Sequence, residues 1–264
     1  MRTNVPNDNG NQDATRSPRP VRPVGPRAAA GTSEPLWRRA LDRLPEQGWP
    51  PRAGGQLVVV APHPDDESLG VGGLIHMCLN AGWRVEIISV TDGDAAYGEA
   101  NQLLGKRRLR EQARASEALG GEAPSRPIIH RVGLPDGDVA AHEAELEDEL
   151  TDLLLGADWC FTTSRQDGHP DHEAAGRAAA AAAKGVGIPS AEYPIWAWEW
   201  RTPDSFPLDR AVRVALPASS RAAKASAIAE HASQLLPYGD GTDAVLPPEV
   251  LSHFDRPFEV LLLP

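Results

Sequence analysis

Apolar and polar positions follow two periods along the chain. Runs at 56–61 (QLVVVA), 84–91 (RVEIISVT), 128–132 and 159–163 are short and apolar at nearly every position, which predicts strands buried on both faces. Between and after them the apolar residues recur at helical spacing, predicting helices over about 67–81, 99–119, 142–155 and 171–184. Strand and helix in turn predict βαβ units: a Rossmann-like α/β fold, with a mostly parallel sheet and helices on both faces. Ahead of the first strand, Leu36, Trp37, Leu41 and Leu44 mark a short amphipathic helix. Past Ile188 the pattern predicts strands at 211–216 and 258–263 and an alanine-rich helix over 219–234. Trp196, Trp198 and Trp200 recur at period two, as on one face of a strand, with core filling or a sugar platform as the two readings. This last third is expected to complete the sheet and build one wall of a pocket.

Residues 1–33 break from that pattern, with five prolines, five arginines against two aspartates, and no hydrophobic period. They are expected to form a disordered tail before a single domain spanning 34–264. The longest apolar runs, 57–62 and 178–183, are far below the ~18 residues of a membrane span, and no signal-peptide core is visible, so the expected location is the cytoplasm. Cys78 and Cys160 lie in apolar segments without CxxC spacing, as buried reduced thiols would. A net charge of −11, more negative still outside the tail, disfavours nucleic acid and anionic membranes as partners and leaves a small molecule as the expected one.

Two motifs carry the chemistry. His63-Pro64-Asp65-Asp66-Glu67 falls where the first strand gives way to its helix, and His169-Pro170-Asp171-His172 falls at the equivalent place after the fourth strand. In a parallel sheet both loops emerge at the carboxyl edge, where ligands bind. His63, Asp66 and His172 then offer two imidazoles and a carboxylate, a set suited to a catalytic zinc with an open position for water; ferrous iron is served nearly as well. Asp65 is left as the base for that water, His169 as the donor to a developing oxyanion, and Asp171 to orient a histidine. Each acid singly reads equally well as a helix cap; the repetition of HPDD and HPDH at equivalent strand ends argues for a site.

These paired motifs resemble the PIG-L/LmbE family of zinc-dependent N-acetylglucosaminyl deacetylases over roughly 56–184. The resemblance implies the same zinc set of His63, Asp66 and His172, with Asp65 as base and His169 at the oxyanion. Thr91-Asp92-Gly93-Asp94 is similar to the family's TxG loop, and Arg108-x-x-Glu111 to a helix whose arginine contacts substrate hydroxyls. Leu134-Pro135-Asp136-Gly137 resembles a further loop, where Asp136 can accept sugar hydroxyls or simply make a turn.

The function expected is therefore a metal-dependent hydrolase that removes an N-acetyl or other N-acyl group from an amino-sugar-containing small molecule. Cleavage of a thiol-sugar conjugate amide by the same residues, and a catalytically silent carbohydrate-binding protein, are the alternatives. A nucleotide site is disfavoured, because Gly70-Val71-Gly72-Gly73 is not GxGxxG and Asp65, Asp66 and Glu67 would repel a pyrophosphate. There is no GxSxG serine-hydrolase motif.

Overall fold

The computed structural model describes residues 31–121, 123, 125–237 and 243–264; most of the expected tail, 1–30, lies outside the described residues. In chain order the elements are α1 (Glu34–Leu41), β1 (Gly55–Ala61), α2 (Asp66–Asn80), β2 (Trp83–Thr91), α3 (Gln102–Gly120), β3 (Ile128–Leu134), α4 (Glu143–Leu153), β4 (Trp159–Thr163), α5 (Pro170–Val186), β5 (Ser190–Tyr193) and α6 (Ala197–Trp200). They continue with β6 (Ala211–Ala215), α7 (Ala218–Glu230), α8 (Ala232–Leu235), α9 (Pro248–Leu251) and β7 (Phe258–Leu262).

The strands form one sheet in the order β3-β2-β1-β4-β5-β7-β6. β3 through β5 pair in parallel, while β7 runs antiparallel to both β5 and β6. On β1, Leu57, Val59 and Ala61 join the core under α1, α2 and α7, and Val58 and Val60 join the core under α4 and α5. Burial on both faces is why the strand is apolar without alternation.

The chain winds one way through β1, β2 and β3, then crosses back to place β4 on the other side of β1. At that reversal the loops after β1 and β4 diverge and leave a crevice at the carboxyl edge. Small side chains hold α5 against this part of the core: Ala174, Ala175, Ala178, Ala179, Ala182 and Ala183 are all buried. Gly70 admits the Tyr193 ring, since a Cβ there would come within 2.2 Å of it.

Two expectations are corrected. The segment of Trp196, Trp198 and Trp200 is no strand: Ala197–Trp200 is a helical turn, so Trp196 and Trp200, four apart, share a side while Trp198 turns into the core against Trp37 and Phe206. The helix expected over 219–234 is broken at His231 into α7 and α8. β5, only four residues with polar Ser190 and Glu192, was not anticipated.

Candidate active site

His63 and His172 are placed by the two strand-end loops. His169 is the N-cap of α5, with Pro170 in the first turn, and its Nδ1 accepts the amide of Asp171 at 3.2 Å. That bond leaves Nε2 to carry the proton of the neutral ring. Burial and the imidazoles of His172 and His63 push His169 well below the ordinary histidine range, so a neutral Nε2–H donor is what the site holds.

His63 Nδ1 and His172 Nε2 face each other at 3.0 Å, and Asp66 Oδ2 lies 3.4 Å from the first and 3.3 Å from the second. The outward nitrogens are committed elsewhere. His63 Nε2 points at Asp136 Oδ1 (3.1 Å) and Asp171 Oδ2 (3.2 Å), and His172 Nδ1 at Asp167 Oδ2 (2.8 Å). Two imidazole nitrogens and a carboxylate oxygen thus converge, and with one proton per ring held at the outward nitrogens the inward lone pairs face a common point. Atoms bound tetrahedrally to zinc at ~2.0–2.1 Å lie roughly 3.3–3.4 Å apart, so the donor set and its spacing fit a divalent ion. His169 adds a ring nitrogen to the same neighbourhood: one ligand atom each from His63, His169 and His172 falls within a 4.8 Å span.

The electrostatics follow from these contacts. Burial lowers His63 and His172, but the carboxylates of Asp136, Asp171 and Asp66 around the first, and of Asp66 and Asp167 around the second, hold both above the usual value. Burial raises Asp136, yet His63 and Arg108 bring it down to about 2. Asp65 is pushed up by burial and by the adjacent Asp66, against the pull of Arg108. Burial, with Asp65 and Asp66 adding, lifts Glu67 to about 8, leaving a neutral acid behind the pair.

Of the substrate residues expected from the sequence, Arg108 is buried at the cavity. One guanidinium nitrogen sits 3.2 Å from Asp65 Oδ1, another donates to the Gly93 carbonyl at 3.0 Å, and Nε has no partner. Glu111 holds Arg107 and Ser233. Asp136 faces His63 and also accepts the Ala95 amide at 2.6 Å. Asp171 takes the amides of Gly137 and Val139, tying the loop after β3 to the cluster.

Sequence reasoning missed Asp167. Fully buried, it accepts the amides of Ile195 (2.8 Å), Trp196 (3.1 Å) and Ala197 (3.2 Å) besides His172 Nδ1. His63, Asp65, Asp66, Arg108, Asp136 and His169 all line one cavity of about 710 Å³, closed on its far side by Trp196, Trp200 and Leu246.

Fold and site together define an α/β protein with a histidine–aspartate cluster at the switch point of a mostly parallel sheet. Residues 58–183 match the family described as PIG-L, GlcNAc-PI de-N-acetylase. The chain is 29% identical over 147 residues to a diacetylchitobiose deacetylase of Thermococcus kodakarensis, covering 51% of this chain and 51% of that one. It is also 29% identical over 143 residues to a 1D-myo-inositol 2-acetamido-2-deoxy-alpha-D-glucopyranoside deacetylase of Mycolicibacterium gilvum, covering 44% and 50%. The chain thus spans about half the length of the curated relatives it matches. Among solved structures, a conserved protein of Thermus thermophilus superposes with a TM-score of 0.52 at 27% identity, over 69% of this chain and 80% of that one. No helix among the described residues is long and apolar enough to cross a membrane.

Proposed function

We propose that this protein hydrolyses the N-acetyl or other N-acyl amide of an amino-sugar-containing small molecule, using a divalent metal, zinc by donor type, held by His63, Asp66 and His172. The observation that carries the reading is the convergence of His63 Nδ1, His172 Nε2 and Asp66 Oδ2 within 3.4 Å of one another, beside Asp65 and His169 at one cavity. Both curated relatives are named for removing acetyl groups from amino sugars.

A metal held there supplies Lewis acidity, polarising the amide carbonyl and lowering the pKa of a bound water toward ~7. Asp65 is the general base: Arg108 holds its Oδ1, and the other oxygen is available to take a proton from the attacking water and return it to the leaving amine. His169 donates from Nε2 to the carbonyl oxygen as negative charge develops there. Asp171 and Asp136 keep the proton of His63 on Nε2, as Asp167 keeps that of His172 on Nδ1, so that the inward nitrogens stay free to bind metal. The Arg108 guanidinium and the spare lone pairs of Asp136, both at the cavity wall, are the groups that meet sugar hydroxyls. Asp138 and Asp243 at the cavity add negative charge that favours a neutral over an anionic sugar. Cys78 and Cys160, buried and unpaired, are in keeping with a reducing compartment such as the cytoplasm.

The test is metal analysis of the purified protein together with acetate release from N-acetylglucosaminides, an acetyl-lysine peptide and a phosphorylated N-acetyl sugar. One metal per chain, lost in His172→Ala, and preference for the neutral glycosides are expected. A full equivalent of tightly bound metal in His172→Ala, or preference for the peptide, would overturn the assignment.

A further inference from the structure

One wall of the cavity is unexplained by the chemistry assigned so far. Trp196 and Trp200 stack with centroids 4.8 Å apart and planes 14° from parallel, and Trp200 lies parallel to His169 at 6.2 Å and 11°. The rings form a series that starts at the group facing the reacting carbonyl and leads away from it. Trp198, from the same segment, is consumed by the core, whereas Trp196 stays half-buried and lines the cavity with Ile195, Val245 and Leu246.

The wall is held in place from both ends. Asp167 takes the amides of residues 195–197, and the Thr32 amide and hydroxyl donate to the carbonyls of Glu199 and Arg201 at 3.1 and 2.5 Å. A rigid aromatic surface of this kind binds without a large ordering cost. Its position follows from the sheet order. Arg108 and Asp136 follow β2 and β3 on one flank of β1, the metal-type cluster sits at β1 and β4, and the tryptophans follow β5 on the other flank. A cavity of 710 Å³ lies in the ~300–1,000 Å³ range that takes a drug-sized ligand, more than one acetylated sugar ring fills.

We infer that Trp196 and Trp200 form a subsite for an apolar group, flat or alkyl, that the substrate carries beyond the sugar and the acetyl methyl. This deepens the deacylase reading above and rests on it. Two parts of a substrate can supply such a group: an acyl chain longer than acetyl, or an apolar aglycone.

Three substrates separate the sources: methyl N-acetyl-glucosaminide as reference, methyl N-hexanoyl-glucosaminide for the acyl chain, and 4-methylumbelliferyl N-acetyl-glucosaminide for the aglycone. At least one extended substrate is expected to exceed the reference in kcat/KM by about 10-fold, mostly through KM, the size of effect that aromatic stacking plus apolar burial gives. Trp196→Ala should bring that ratio close to one, and Trp196→Phe should restore most of it. If neither extended substrate is preferred by the wild type, or if the preference survives Trp196→Ala, the subsite is wrong. Failure of the deacylase reading shows differently, as no amide cleavage in any arm. In that event equilibrium binding of 4-methylumbelliferyl glucoside, which has no amide to cleave, decides. Tighter binding than methyl glucoside, lost in Trp196→Ala, supports the subsite; equal binding overturns it.

Discussion

The carboxylate of Asp167 accepts the Nδ1 proton of His172 over 2.8 Å, and both side chains are fully buried. That bond fixes the tautomer of His172, and the same carboxylate gathers three amides at the start of the aromatic wall. Ligand orientation and cavity shape therefore depend on one side chain. Asp167→Asn presents an amide N–H₂ that favours the opposite tautomer, with the proton on the inward Nε2. The expected result is a loss of metal affinity of ~10- to 100-fold, the usual scale for such orienting partners. Competition with a chelator measures it, with circular dichroism to show that the fold is retained. Unchanged affinity in a folded variant would remove Asp167 from the site.

Asp65→Asn separates binding from chemistry. The shape is kept and the Arg108 ion pair becomes a hydrogen bond from the guanidinium to a neutral amide oxygen, but the proton acceptor is gone. Metal content is expected to persist while kcat falls ~10²-fold or more. Parallel loss of metal and activity would make Asp65 a ligand instead.

The sequence made the α/β layer and the paired motifs legible because both are local. Consecutive apolar positions mark doubly buried strands, and His-Pro-Asp at a strand end holds its side chains within a few residues of each other. Asp167 was invisible because its partners at 195–197 lie almost thirty residues on, brought back only by β5. β5 itself hides a charged residue, Glu192, whose burial is made tolerable by Arg165 and Arg210 from outside the strand. The tryptophan segment misled for a geometric reason: a spacing of two also contains a spacing of four, so Trp196 and Trp200 fit a helical turn as well as a strand.

Gly93 sets the approach of Arg108. It sits at φ +65°, and a Cβ there would lie 2.5 Å from the guanidinium carbon. Gly93→Ala should therefore push Arg108 off Asp65 and lower kcat/KM by about 10-fold, besides the ~1 kcal/mol cost of the left-handed backbone. Gly82→Ala isolates the backbone term, since Gly82 has φ +77° with nothing near its missing Cβ. Both variants should lose a few degrees of Tm, and only Gly93→Ala should lose activity. An active Gly93→Ala would show that Arg108 is not held as its contacts indicate.

Glu34, at the start of α1, ties that helix to the C-terminal region. It accepts from Arg256 Nε (2.8 Å) and His253 Nδ1 (2.8 Å), and Arg256 in turn lies 4.2 Å over the Trp198 ring. Burial raises the Glu34 carboxyl, but the Arg256 and His253 hydrogen bonds outweigh it and bring it from 4.5 to about 2. A carboxylate whose pKa is depressed by folding stabilises the fold fully above its unfolded value and loses that contribution as pH falls through the folded one. The stabilisation by Glu34 should thus be complete above pH 4.5 and disappear between pH 4.5 and about 2. Glu34→Gln, which keeps the shape without the charge, should lower Tm at pH 6–7 by an amount corresponding to roughly 1–3 kcal/mol, and the gap to wild type should close on acidification. Thermal unfolding of both proteins across pH 2–7 measures this. No gap at any pH, or a gap that stays constant through that range, would mean that ionisation of Glu34 contributes nothing to stability.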